Sequence, residues 1–227
     1  MQKRIVRKLE LERLLSRVEP HPAPRPDIEQ YTIPAGVAAT MLYIAAYAND
    51  SIAGKSVLDL GCGTGRLAIG AAFLGAKSVL GLDVDRTAIN VAVENSLRTG
   101  LKEKVDWLVA DVDAVCGEFD TVLQNPPYGV QVLRADRKFL EKALEVGKTV
   151  YSLHKSPRKS EAFYSMLKAG SDGIVQVAPA SFFKEFVEER GRKIRAVYAM
   201  VMSIPYMFSF HTKKKHEFIV DLYVIDG

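Results

Sequence analysis

Residues 57–74 constrain the fold of this chain more than any other stretch. Val57-Leu58-Asp59-Leu60 is a short apolar run, followed by Gly61-Cys62-Gly63-Thr64-Gly65 and then a helical pattern over Arg66–Leu74. Strand, glycine loop and helix in that order build a cradle for a nucleotide-type cofactor. The glycines permit a tight turn and a close approach of the cofactor to the backbone. The spacing is G-x-G-x-G rather than the G-x-G-x-x-G of pyrophosphate binding, which disfavours a dinucleotide and an oxidoreductase that uses one. A second strand, Ser78–Leu82, ends in Asp83, about 22 residues past the first glycine, where a ribose-binding carboxylate sits in such folds. Asp85 is the alternative ribose ligand and also suits the cap of a helix over Arg86–Thr99. A third strand, Val105–Val109, leads to Asp111, whose carboxylate, with the N–H of Val112, suits the edge of an adenine ring. Thr64 and Arg66 frame the lower edge of the cradle. Arg66 either meets a carboxylate there or faces solvent.

Strands and helices keep alternating from Lys55 onward, with further strands at Thr121–Gln124 and Thr149–Leu153 and a helix over Ala135–Val146. That alternation implies a parallel sheet with helices on both faces. Ile194–Ile204 and Glu217–Ile225 read as two long strands with no helix between them, so they pair antiparallel. Ile174–Val177 is either a short extra strand or buried coil, and Ser181–Glu189 suits a helix. Ahead of the glycine loop, Arg4–Val18 is an amphipathic helix. Glu19–Pro34, with five prolines, is an ordered arm, and Pro34–Asn49 is a second helix. A single domain over 1–227 is expected, with residues 1–50 forming helix, arm and covering helix and residues 51–227 forming the catalytic core.

Asn125-Pro126-Pro127-Tyr128 closes the fourth strand and fits one reaction, methyl transfer to a planar amino nitrogen. Such a nitrogen is a poor nucleophile because its lone pair is delocalised. A site that accepts hydrogen bonds from both N–H groups favours a more tetrahedral, more reactive nitrogen. Asn125 offers a side-chain carbonyl, Pro126 a backbone carbonyl held by two fixed φ angles, and Tyr128 a flat ring for stacking. The expected catalytic set is therefore Asn125, Pro126, Pro127 and Tyr128.

Leu58 to Gly65 together with Asn125 to Tyr128 resembles a class I S-adenosylmethionine-dependent methyltransferase acting on an exocyclic amine. Glu29-Gln30-Tyr31, Asp120-Thr121-Val122, Tyr151-Ser152-Leu153-His154-Lys155, Phe210-His211-x-Lys213 and Val220-Asp221-Leu222 follow in order. Together they resemble the small-subunit ribosomal RNA adenine-N6 methyltransferases of archaea and eukaryotes. The resemblance departs over Ser156–Lys193, and at Thr32-Ile33-Pro34, where the family has Pro-Thr one step earlier. It implies a Rossmann-like, seven-stranded, mostly parallel sheet with one reversed strand. It also implies S-adenosyl-L-methionine as cofactor, held by Gln30, Thr32, Gly61, Gly63, Thr64, Arg66, Asp83, Asp111 and Val112. The product is N6-methyladenine in RNA. A protein glutamine amide and the guanine N2 amine present the same two protons, so both remain as alternatives. A non-catalytic module that keeps the fold is opposed by the intact set of loop glycines, carboxylates and tetrapeptide.

Net charge is only +4, so the distribution of charge matters more than its total. Basic residues gather at Lys155–Lys159, Arg190–Arg195 and His211–His216, near strand ends that share a rim with the site. Lys155, Lys213, Lys214 and Lys215 are the expected RNA contacts. His154 and His211 are read as backbone support, RNA contact or proton carriers. Two cysteines far apart, Cys62 and Cys116, suggest neither a disulfide nor a zinc site, and no metal is expected. No apolar run is long enough to span a membrane, and the start lacks a signal peptide, so a cytoplasmic protein is expected. The third strand is expected at a sheet edge, where its apolar face invites strand addition. The resemblance implies a small zinc-binding activator as the heterodimer partner there. The competing reading turns Trp107 inward under a helix.

Overall fold

The computed structural model describes residues 5–25, 30–128, 135–170, 173–205 and 215–227. Its elements alternate as the apolar periodicity requires. Helices α1 (Lys8–Leu15) and α2 (Ala35–Tyr43) precede β1 (Ser56–Leu60), α3 (Arg66–Phe73), β2 (Ser78–Asp83), α4 (Arg86–Arg98) and β3 (Asp106–Val109). Then come β4 (Phe119–Gln124), α5 (Ala135–Val146), β5 (Gly147–Lys155), α6 (Glu161–Ala169), β6 (Ile174–Gln176), α7 (Ser181–Glu188), β7 (Lys193–Pro205) and β8 (Lys215–Asp226). Past Tyr43 the second helix widens into a π-turn over Ile44–Ala48, short of the α-helix expected to Asn49.

One sheet carries all eight strands in the order β3-β2-β1-β4-β5-β8-β7-β6. The first five are parallel, β8 runs against β5, β7 against β8, and β6 against β7. The expected seven strands with one reversed are therefore corrected to eight with two reversed. The extra strand pairs Ile174–Gln176 with Tyr198–Met200 and covers part of an edge that the 13-residue β7 otherwise leaves open. Three residues are too few for an alternation pattern to register. Helix α6 lies in the segment that departs from the family likeness, and its apolar Leu167 and Phe163 pack on Ala199 and Ile219.

Each face of the sheet has its own core. On one face Val57, Leu123, Tyr151, Met202 and Leu222 pack against α1, α2 and α3. On the other, Leu58, Leu60, Val122, Val150 and Tyr223 pack against α5 and α7. The first helices are part of the main core, since Leu11, Leu15, Met41 and Leu42 are fully buried. Trp107 settles inward. Its ring lies against Gly81 and Gly65, where a Cβ on either glycine would collide with it, and the competing reading of that residue holds. Among the described residues no helix is long and apolar enough to cross a membrane.

Candidate active site

The strand order reverses between β1 and β4, and a cavity of about 480 Å3 opens there at the carboxyl ends of the strands. This is the switch-point position where open α/β sheets hold ligands. Its size falls within the range for small-molecule pockets. Gly61, Gly63 and Gly65 all have positive φ, so the loop between β1 and α3 reverses the chain without a Cβ penalty. A Cβ at Gly61 would lie 2.6 Å from the ring of Phe139, so the glycine also admits α5 to the cavity wall.

Carboxylates organise the loop. Asp59 is buried and accepts the N–H of Ala68 at 2.8 Å, fixing the start of α3. Burial raises its carboxyl to about 7, against the lowering effect of that hydrogen bond. Asp83 accepts from Gly63 N–H at 2.8 Å and from Asp85 N–H at 2.9 Å, and burial holds its carboxyl above the ordinary range. Asp85 caps α4 by accepting from Thr87 and Ala88 N–H, as its helix-cap reading requires. Its Oδ2 also accepts Gln30 Nε2–H at 2.7 Å. Burial raises Asp85, but the Gln30 and backbone hydrogen bonds outweigh it and leave the group below its ordinary value. Asp111 lies across the cavity, capping the 3-10 turn Val112–Ala114 and paired with Lys138 at 2.7 Å.

The proline-rich arm closes the cavity from above, bringing His21, Gln30, Tyr31, Thr32 and Ile33 to its lining. Arg66 holds the arm in place. Its guanidinium donates to Val18 O at 2.6 Å and to Ile33 O, bracketing the segment from both sides. The solvent-facing reading of Arg66 is therefore corrected, while the residue still lines the cavity with its Nε buried and unpartnered. A guanidinium spans two converging carbonyls that no shorter cation reaches together. Asn95 adds a second brace, accepting Glu19 N–H and donating to Glu19 O and Thr64 O.

Of the tetrapeptide, Asn125 and Pro127 line the cavity. Tyr128 turns toward the first core, with its ring 5.7 Å from Tyr31 and 5.8 Å from Phe218 in an edge contact. Its hydroxyl donates to Asn125 Oδ1 at 3.1 Å, which holds the amide in one orientation. Lys155 ends β5, with its ammonium 5.9 Å from the Phe218 ring. Lys213, Lys214 and His211 lie outside the described residues, and Lys215 begins β8. His154 is buried, with Nε2 2.6 Å from Ser152 Oγ and its ring against Phe183. Burial lowers it to about 3. The RNA-contact and proton-carrier readings are thus corrected for His154, because α7 seals it under the sheet. Sequence reasoning missed Asp59, His21 and Phe139. Asp59 was legible from strand alternation, which sets it beside α3. Phe139 and His21 reach the cavity only through the path of the chain.

The cavity suits S-adenosylmethionine. It has glycine-lined walls, carboxylates for a ribose and an adenine edge, and the buried, uncommitted polar atoms Thr64 Oγ1 and His21 Nε2. A switch-point cavity with this loop and a strand-end Asn-Pro-Pro-Tyr defines a class I S-adenosylmethionine-dependent methyltransferase. Sequence comparison agrees. The profile of the ribosomal protein L11 methyltransferase (PrmA) family matches residues 38–126. The rRNA N(6)-adenosine-methyltransferase Mettl5 of Drosophila melanogaster is 37% identical, with 73% of this chain and 80% of that protein aligned. The Danio rerio METTL5 is 31% identical over 93% of this chain and 95% of that protein. The crystal structure of PH1948 from Pyrococcus horikoshii, a candidate RNA methyltransferase, superposes with a TM-score of 0.81. It is 35% identical over 98% of both chains. The chain belongs to the rRNA N6-adenosine methyltransferase family.

Proposed function

We propose that this enzyme methylates the N6 amine of an adenine in RNA, with small-subunit ribosomal RNA as the substrate. The observation that carries this reading is Asn125 at the cavity wall, its amide oriented by the Tyr128 hydroxyl. When bound, S-adenosylmethionine supplies an electrophilic methyl group. The chain's own task is alignment and exclusion of water. Asp83 accepts from the ribose hydroxyls, and Asp111 with the N–H of Val112 reads the adenine edge. Gly61 and Gly63 admit the methionine part, with Thr64 at its side, while Gln30 and Thr32 close over the top from the arm. Asn125 Oδ1 and the Pro126 carbonyl accept the two amine protons. Tyr128 acts on the target through the Asn125 amide that its hydroxyl holds, and Pro127 keeps the turn rigid. An adenine in RNA reaches such a pocket only when unstacked, which a single-stranded loop permits. Lys155 and Lys215, at strand ends on the rim, together with Lys213 and Lys214 supply phosphate contacts.

The partner surface in this reading is the β3 edge. Leu108 and Val109 are exposed there, while Trp107 is turned inward. Their unpaired backbone groups suit strand addition by a small zinc-binding activator. Proline at Asp106 and Leu108 then abolishes co-purification with the activator, whereas a monomer fully active alone counts against the partner.

Labelled cofactor incubated with small-subunit RNA, large-subunit RNA and release factor, followed by nucleoside and amino-acid analysis, tests the substrate. Label in N6-methyladenine of small-subunit RNA is expected. Methylated guanine or glutamine as the sole product overturns the reading.

A further inference from the structure

We propose that His21, on the proline-rich arm, is a further cofactor-binding residue that donates a hydrogen bond to the ribose diol. Its side chain is only 8% exposed and lines the cavity. Nδ1 accepts the N–H of Ala23 at 3.1 Å, so the ring carries its proton on Nε2. That Nε2 is buried, has no hydrogen-bond partner and lies 3.4 Å from Asp85 Oδ2. A buried donor without an acceptor is costly, and a ligand group that fills the gap recovers the cost.

The chemistry of the neighbouring groups indicates which part of the cofactor this is. Asp83 stands at the end of β2, the ribose position, and shares the cavity lining with His21. A carboxylate only accepts, so a hydroxyl that donates to Asp83 keeps lone pairs that only a donor can satisfy. Most of the donors nearby are already engaged, leaving the second Gln30 N–H and the Thr64 hydroxyl besides His21. Gln30 Nε2 is bonded to Asp85, and the N–H groups of Gly63 and Asp85 are both bonded to Asp83. His21 Nε2–H is the buried imidazole donor left without an acceptor on the arm, and in this assignment one hydroxyl donates to Asp83 and accepts from His21. Because His21 belongs to the arm that Arg66 brackets, this hydrogen bond couples arm closure to the sugar.

The inference rests on S-adenosylmethionine as cofactor, and calorimetry on the full chain tests the two separately. S-adenosylhomocysteine and its 2′-deoxy and 3′-deoxy analogues are titrated into wild type, His21→Ala and the longer polar His21→Gln. We expect His21→Ala to weaken S-adenosylhomocysteine roughly tenfold, the scale of one hydrogen bond, with partial recovery in His21→Gln. For the analogue lacking the contacted hydroxyl, wild type and His21→Ala bind alike, which also establishes that the variant is folded. Equal losses for all three ligands, or no loss for any, overturn the proposal. A wild-type chain that binds none of them overturns the cofactor assignment itself.

Discussion

Replacing Arg66 with alanine is expected to loosen the arm over the cofactor while leaving the sheet intact. The guanidinium donates to Val18 O and Ile33 O, one on each side of the arm, and it remains charged near neutrality although burial lowers it to about 10. A hydrogen bond to a charged group is worth about 1.5–3 kcal/mol. Two such bonds, discounted because water reaches part of the site, give about 2–4 kcal/mol. The other anchors survive in the variant, namely Asn95 on Glu19 and Gln30 on Asp85. The arm therefore stays associated, but its open fraction rises by roughly 30- to 1000-fold. Amide hydrogen exchange reads this directly, with faster exchange over residues 18–33 and unchanged protection in β1 and β4. Cofactor affinity falls with it, because His21, Gln30 and Thr32 are carried on the arm. Arg66→Lys recovers at most about half of the effect, since one ammonium cannot hold both carbonyls. Exchange in residues 18–33 as slow as in wild type would refute the bracing role.

Asn125→Ala is expected to abolish turnover while cofactor affinity measured by calorimetry stays nearly constant; a large loss of affinity would mean that the residue holds the cofactor instead. Asp83→Ala weakens the cofactor by about 1.5–3 kcal/mol in the same titration, or more, because the Gly63 N–H also loses its acceptor. Lys213, Lys214 and Lys215 changed together to alanine lower RNA affinity across sequences and reduce the slope of log affinity against log salt by roughly 2 for single strands; an unchanged slope assigns them to a solvated turn. For pH, His154 titrates at about 3 when folded and about 6.5 when unfolded, so the unfolded chain binds more protons between these values and the His154 contribution to stability rises with pH there. Asp59, raised to about 7, contributes the opposite slope between about 4 and 7. Denaturant melts of His154→Leu should therefore lose stability relative to wild type by up to about 1.4 kcal/mol per pH unit from pH 3 to 6.5, and parallel curves would rule out a buried neutral His154.

Much of this protein was legible residue by residue. Strand β1 at Ser56–Leu60 contains the run Val57–Leu60 read from the sequence, because a glycine loop follows a short, mainly apolar stretch. Helix α5 likewise matches at Ala135–Val146, where the apolar stripe is regular. The placement of Asp83 and Asn125 followed from counting to strand ends, which the backbone alone determines. Strand β6 and helix α6 were harder, since a three-residue strand carries no period and α6 is stabilised by its contact with β7.

The sequence by itself determined the order of elements, the cofactor cradle and the amine-directed tetrapeptide, because each is a local pattern whose chemistry depends on neighbours within a few residues. Tertiary structure alone decided what distant side chains do to one another. It committed the Arg66 guanidinium to the arm, sealed His154 beneath Phe183, and folded Trp107 onto Gly65 and Gly81. It also brought His21 to Asp85, which caps α4 some 60 residues further along the chain. Long side chains such as these reach several potential partners, and the choice among them depends on which surfaces the packed sheet brings within hydrogen-bond distance and which it closes to water.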